Sequence, residues 1–159
     1  MAQNGDLPAL PSQQKVGTAV GQEFPDATFA TLDGEPVQIS QLRGQHVIVN
    51  VWATWCPPCK AEMPLLQQTA DEYAAEGVVV LGLNATAQDN LEGVAAFVAD
   101  QGLTIPILLD TEDLLWTTYN VEYFPTSFFI NPDGTIYHVV IGMVQETELP
   151  GLMDEWLDS

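Results

Sequence analysis

Hydrophobic positions along the chain change their spacing several times, and each change marks an element. The run His46-Val47-Ile48-Val49-Asn50-Val51-Trp52 is mostly β-branched or aromatic and lacks alternation, as in a strand buried on both faces. From Cys59, the positions Cys59, Met63, Leu66, Ala70 and Tyr73 follow the four-three rhythm of one helical face, and Gly77 supplies a stop. Pro64 falls inside that helix; it removes a backbone bond and predicts a kink. Val78 to Leu83 reads as a second buried strand, followed by Leu91, Val94, Ala95 and Val98 at helical spacing.

Shorter signals surround this centre. Ala27 to Ala30 and Val37 to Ile39 flank an Asp33-Gly34 turn, which predicts a hairpin. Ile105 to Leu109 predicts a short strand and Leu114 to Tyr119 a short helix. Phe128 to Ile130, the turn Asn131-Pro132-Asp133-Gly134 and Ile136 to Ile141 predict a second hairpin. Leu149, Leu152, Met153 and Trp156 give a closing amphipathic helix. Strands alternating with helices, then a hairpin and a last helix, imply an α/β fold: a central mixed sheet with helices on both faces, preceded by an N-terminal hairpin. Residues 1–19 are rich in Gln, Pro, Gly and Ser without an apolar period and read as a flexible tail or linker, leaving 20–159 as one domain.

Composition narrows the function. Apolar residues make up 47% of the 159, enough for a core, and no stretch approaches the ~20 apolar residues of a membrane helix. Twenty-two acidic residues against Lys15, Arg43 and Lys60 give a formal charge of −19. Phosphate backbones are repelled by such a surface, so nucleic acid is not an expected partner. The acids are spread along the chain and form no block, as on a solvated surface.

The two cysteines, Cys56 and Cys59, are separated by two residues, which excludes a framework of structural disulfides and leaves a redox pair, half a metal site or coincidence. A buried strand leads into them and a helix leads out. Cys56 therefore falls at the helix N-terminus, where free N–H groups and the dipole favour a thiolate. Cys59 falls one turn on, facing inward with Met63 and Leu66. Such unequal thiols suit exchange: Cys56 attacks a disulfide and Cys59 resolves the mixed disulfide. Pro57 and Pro58 restrict the backbone between them, Pro57 near the first helical position. Glu62, three residues past Cys59, is either an ordinary first-turn surface acid or the group that takes the Cys59 proton.

The segment Trp55-Cys56-Pro57-Pro58-Cys59-Lys60 after a hydrophobic strand, with Pro64 five residues past the second cysteine, resembles the thioredoxin superfamily. More narrowly it is similar to extracytoplasmic thiol-disulfide oxidoreductases of the TlpA and ResA type, built on a redoxin (AhpC/TSA-like) domain. The likeness runs from about Val20 to the C-terminus and takes in Asp33-Gly34, Leu42-Arg43-Gly44, a central inserted segment from Asn84 to Asp110, and Phe124-Pro125-Thr126. It implies a thioredoxin-like fold and a protein-disulfide reductase of the cytochrome c maturation type. It implies that Pro125 is a cis-proline facing the redox pair and that the Phe124 backbone pairs with an incoming chain. Trp55, Pro57, Pro58, Phe124 and Pro125 are the substrate-binding surface by this resemblance, and Glu62 the thiol-tuning carboxylate. Thioredoxin itself has a buried acid six residues before the first cysteine; here Asn50 stands there and cannot accept a proton. Trp52 is expected in the core, and His46 and His138 as ordinary sheet residues.

The resemblance further implies no cofactor besides the Cys56–Cys59 disulfide. Expected partners are protein thiols and disulfides, with apocytochrome c among them, and a membrane thiol-transfer reductant. The expected protein is a monomer outside the cytoplasm, its anchor or signal not part of this chain. The Pro-Pro pair lacks the histidine associated with strong oxidants, which favours a reductant. Three rival readings are weaker. A metal-delivery module lacks a second cysteine pair, and a peroxiredoxin-like peroxidase lacks its Thr and Pro, whose places hold Ala53 and Val49. A non-enzymatic binding module has no need of the intact pair with Glu62 and Pro125.

Overall fold

The computed structural model describes residues 16–159; residues 1–15, most of the expected tail, lie outside the described residues. Among the described residues seven strands form one sheet: β1 (Thr28–Thr31), β2 (Val37–Gln38), β3 (His46–Trp52), β4 (Val78–Asn84), β5 (Ile107–Leu109), β6 (Thr126–Ile130) and β7 (Ile136–Ile141). Their order across the sheet is β2-β1-β5-β4-β3-β6-β7. β3, β4 and β5 run parallel, and the strands outside them are antiparallel, which makes the sheet mixed. Among the described residues four α-helices accompany it: α1 (Pro57–Tyr73), α2 (Leu91–Gln101), α3 (Leu114–Thr117) and α4 (Leu149–Asp158).

The central strands carry apolar side chains on both faces because both faces are covered. On one face Ile48, Trp52, Val80 and Phe129 pack against Met63 and Leu66 of α1, Val94 of α2, and Met153 and Trp156 of α4. On the other, Val47, Val49, Val51, Leu83 and Phe128 pack under Phe24, Leu115 and Tyr119. The helices are thus unequally shared, with the three long ones on one face and the short α3 on the other. The inserted segment contributes α2 and β5, and β5 joins β4 in parallel through the α2 crossover.

Several boundaries differ from the sequence expectation, each for a physical reason. The start of α1 is not among them: it begins at Pro57, directly after Cys56 as expected, and Pro64 lies inside it. Its end is tightened into a 3-10 turn, Ala74–Glu76, closed by Gly77 at φ 82°. On α2 the expected face included Leu91 and Ala95, but both are exposed. The side chains that reach the sheet are Val94, Phe97 and Val98, with the Phe97 ring set against Trp52. The strand expected from Ile105 starts at Ile107 because Pro106 has no N–H for the ladder. The helix expected to reach Tyr119 ends at Thr117, and Tyr119 leaves it to hydrogen-bond the Pro25 carbonyl at 2.7 Å. The strand expected through Ile39 stops at Gln38, where a 3-10 turn over Ile39–Leu42 begins.

Candidate active site

The cysteines occupy the junction where β3 gives way to α1. Cys56 is the N-cap residue in extended conformation (φ −111°, ψ 100°), and Pro57 and Pro58 fill the first helical positions. Neither proline has an N–H, so the first helical donor after the cap is the Cys59 amide. That amide points at Cys56 Sγ, 3.3 Å away. The sulfur thus sits where a capping oxygen would, at the positive end of the helix dipole. Cys56 and Cys59 are joined in a disulfide with Cα atoms 5.3 Å apart. Cys59 is fully enclosed at 0% exposure, and Cys56 is also largely covered, at 5%. The difference in access that the sequence led us to expect is therefore small in this oxidised form.

The small exposed part of Cys56 opens on a cavity of about 480 Å³. Trp55, Pro57, Pro58 and Phe124 line it, so those expected substrate-binding residues do converge on the sulfur. Trp55 is exposed, stacks on Phe124 with ring centroids 5.3 Å apart, and donates from Nε1 to the Gln88 carbonyl at 2.9 Å. The Phe124–Pro125 peptide bond is cis. Pro125 is buried directly before β6, whose Thr126 pairs with Val51 of β3, so its neighbourhood is fixed by the strand that leads to the cysteines.

Glu62, on α1 three residues past Cys59, is buried at 1% exposure, which rules out the surface reading of it. Its Oε1 accepts from Asn50 Nδ2 at 2.8 Å, and its Oε2 accepts from the Val144 amide. Burial pushes the Glu62 carboxyl above its ordinary range, and the bonds from Val144 and Asn50 offset only part of that. Asn50 Nδ2 also donates to Ser127 Oγ at 2.9 Å. Asn50 is thus more than a missing acid, because it is the donor that holds Glu62. Glu62 is also among the residues that line a second cavity of about 340 Å³ between α1 and residues 143–146.

Sequence reasoning missed the group that holds the loop before Cys56. Asp89 accepts from the Thr54 amide at 2.7 Å, from the Thr54 hydroxyl and from Asn84 Nδ2 at 3.0 Å. Burial alone pushes the Asp89 carboxyl up, but the hydrogen bonds from Thr54 and Asn84 outweigh it and hold Asp89 below its ordinary value. The Asp89-Asn90 pair ahead of an apolar helix was a readable capping signal, and Asn90 does cap α2 through Gly93. The reach of Asp89 to Thr54 left no trace in local sequence. Trp52 lies in the core at 0% exposure; His46 and His138 lie on β3 and β7, edge-on to Trp156 and Phe129.

Comparison with known proteins agrees with this arrangement. The pattern of the AhpC/TSA family matches residues 20–139. The thioredoxin-like protein YneN of Bacillus subtilis is 34% identical over 143 residues, covering 90% of this chain and 84% of the relative. The thiol-disulfide oxidoreductase ResA of Bacillus thuringiensis is 34% identical over 134 residues, covering 84% and 76%. Among solved structures, a secreted Mycobacterium tuberculosis disulfide oxidoreductase homologous to E. coli DsbE superposes with a TM-score of 0.71 at 29% identity, covering 81% of this chain and 95% of the other.

Proposed function

Because this chain belongs to the AhpC/TSA family of the thioredoxin superfamily and is a thiol-disulfide oxidoreductase, we propose that it works as a reductant of disulfides in exported proteins, with Cys56 attacking and Cys59 resolving. The observation that carries this reading is the Cys59 amide directed at Cys56 Sγ at the start of α1. A thiolate at that sulfur gains a hydrogen bond and the helix dipole; Cys59 gains neither.

The reaction starts from the dithiol. The Cys56 thiolate attacks one sulfur of a substrate disulfide, forming a Cys56–substrate bond while the other substrate sulfur leaves as a thiolate and takes a proton. Cys59 then loses its proton and attacks Cys56 Sγ. This forms the Cys56–Cys59 disulfide present in the structure and releases the second substrate thiol. The substrate gains two electrons and two protons, and the enzyme cysteines lose them. Glu62, one turn beyond Cys59 on α1, is the proposed acceptor of the Cys59 proton, with its raised pKa matched to that task. Trp55, Pro57, Pro58 and Phe124 form the surface that receives the substrate, and the buried Pro125 sets the backbone of Phe124 there. No group besides the cysteine pair enters the electron exchange.

Substrates are protein disulfides, and apocytochrome c is the client the reading favours. A membrane thiol-transfer protein would return the enzyme to the dithiol, and the enzyme acts as a monomer outside the cytoplasm. The relative described as secreted supports that location. Replacing Cys59 with Ser tests the scheme. The variant, reduced and mixed with a disulfide-containing protein, should accumulate a mixed disulfide through Cys56 that dithiothreitol releases. Absence of the adduct, or rapid consumption of hydrogen peroxide by the wild type, would contradict it.

A further inference from the structure

We propose that the cavity beside Cys56 selects polypeptide disulfides that carry a lysine or arginine next to the reacting cysteine. This rests on the oxidoreductase reading above and adds a substrate class to it. Trp55, Trp116 and Tyr123 are the exposed aromatic side chains among the described residues, at 53%, 60% and 63% exposure. They come from three separate segments: the loop before Cys56, α3, and the loop before Pro125. All three line the cavity that reaches Cys56.

Its charged lining is acidic throughout, from Asp113 and Glu122. Asp113 is held in place, since Gln88 Nε2 donates to its Oδ1 at 3.1 Å and Gln88 in turn anchors Trp55 through its carbonyl. No cation among the described residues competes for these carboxylates. Arg43 pairs with Glu23 at 2.8 Å, and Lys60 lies 5.9 Å over the Phe97 ring. Exposed aromatic faces with two acids that have no cationic partner among the described residues form a receptor for an alkyl chain ending in a cation: the stem packs on the rings, and the head meets the ring faces and the carboxylates. An apolar side chain would fill the aromatic part and leave the carboxylates unanswered.

The cation also bears on the chemistry. Asp113 and Glu122 share the cavity with Cys56, and their charge disfavours a thiolate there. A substrate lysine or arginine between them offsets that charge as Cys56 attacks, and it stabilises the thiolate leaving from the substrate. Preference is therefore expected in the rate of attack as well as in binding.

Peptides that carry one cysteine in mixed disulfide with thionitrobenzoate, differing only in a neighbouring Lys, Leu or Glu, test this against the fully reduced protein. Release of thionitrobenzoate gives the second-order rate constant. At 0.15 M salt the screening length of about 8 Å removes most of the attraction of the remote surface charge and leaves the local one. The Lys peptide should react roughly tenfold faster than the Leu peptide, the Glu peptide slowest. In the Asp113→Asn/Glu122→Gln double variant the Lys-to-Leu ratio should fall below about threefold, while Asp154→Asn on α4 leaves the ratio as in the wild type. Equal rates for Lys and Leu peptides, or a ratio unchanged in the double variant, would overturn the preference and leave the oxidoreductase reading standing. Failure of all three peptides to react would overturn both.

Discussion

Asn50 of β3 and Glu62 of α1 meet in the buried interior: Asn50 Nδ2 donates to Glu62 Oε1 at 2.8 Å. Asn50 donates from the same nitrogen to Ser127, and its Oδ1 has no partner among the described residues. An amide can turn over, exchanging donor for acceptor, and the Ser127 hydroxyl serves in either sense. Asn50 and Ser127 can therefore hold Glu62 as a carboxylate that accepts from Nδ2 or as a protonated carboxyl that donates to Oδ1. This versatility suits a group that takes up a proton and gives it back.

Glu62→Gln should keep the fold and lose the proton acceptor. The introduced amide can accept from Val144 and donate to a turned Asn50, so unfolding free energy should stay within about 1 kcal/mol of wild type in urea titration. Resolution of a Cys56 mixed disulfide should slow by roughly a hundredfold. Glu62→Ala, by contrast, leaves the Val144 amide buried without a partner and should cost about 1–3 kcal/mol.

Stability should report the burial of Glu62 through pH. Its folded-state pKa lies above the ordinary 4.5, so in that window the folded chain binds the proton more tightly than the unfolded chain. The contribution is fully present below the ordinary value and is lost as pH rises through the folded value. The stability of wild type relative to Glu62→Gln should therefore decline with rising pH across this range and then level off. A difference that rises with pH would contradict the burial.

Asp89 should behave in the opposite sense. Its folded pKa is depressed, so its contribution is present above the ordinary 3.8 and lost as pH falls through the folded value. Asp89→Asn sets an amide donor against the donors of Thr54 and Asn84 and should cost about 2 kcal/mol at neutral pH, measured by chemical denaturation. Freed from this clamp, the loop before Cys56 should change the Trp55 environment, visible as a shift in tryptophan emission.

Trp55→Ala should separate docking from folding. The ring is half-exposed and touches Phe124 and Gln88, so its loss should cost no more than about 1 kcal/mol of stability. Reduction of a polypeptide disulfide should fall roughly tenfold in kcat/KM, while reduction of a small disulfide such as oxidised glutathione should change much less. Equal losses for both substrates would show that Trp55 has no part in docking.

The strand leading to the cysteines was legible because a run such as Val47 to Val51 has one stable home, a strand covered on both sides. The capping position of Cys56 followed from the strand that leads into it and the helix that leads out. Local pattern failed where the deciding partner is remote in sequence. Glu62 reads as a first-turn surface acid until the Val144 amide and Asn50 close around it. Asp89 reads as a loop residue until Thr54 comes within reach. On α2 a spacing rule could not tell Leu91 from Phe97, since both fit a helical period and only the position of Trp52 selects between them.

The most direct test of the inequality of the two sulfurs is the pH dependence of iodoacetamide alkylation in the reduced protein, with each cysteine followed by mass spectrometry. Cys56 should be modified with a midpoint well below the ~8.5 of a free thiol, while Cys59 stays unmodified over the same range. Alkylation of both cysteines at similar rates, or a Cys56 midpoint at or above the free value, would contradict the assignment of attacking and resolving thiols.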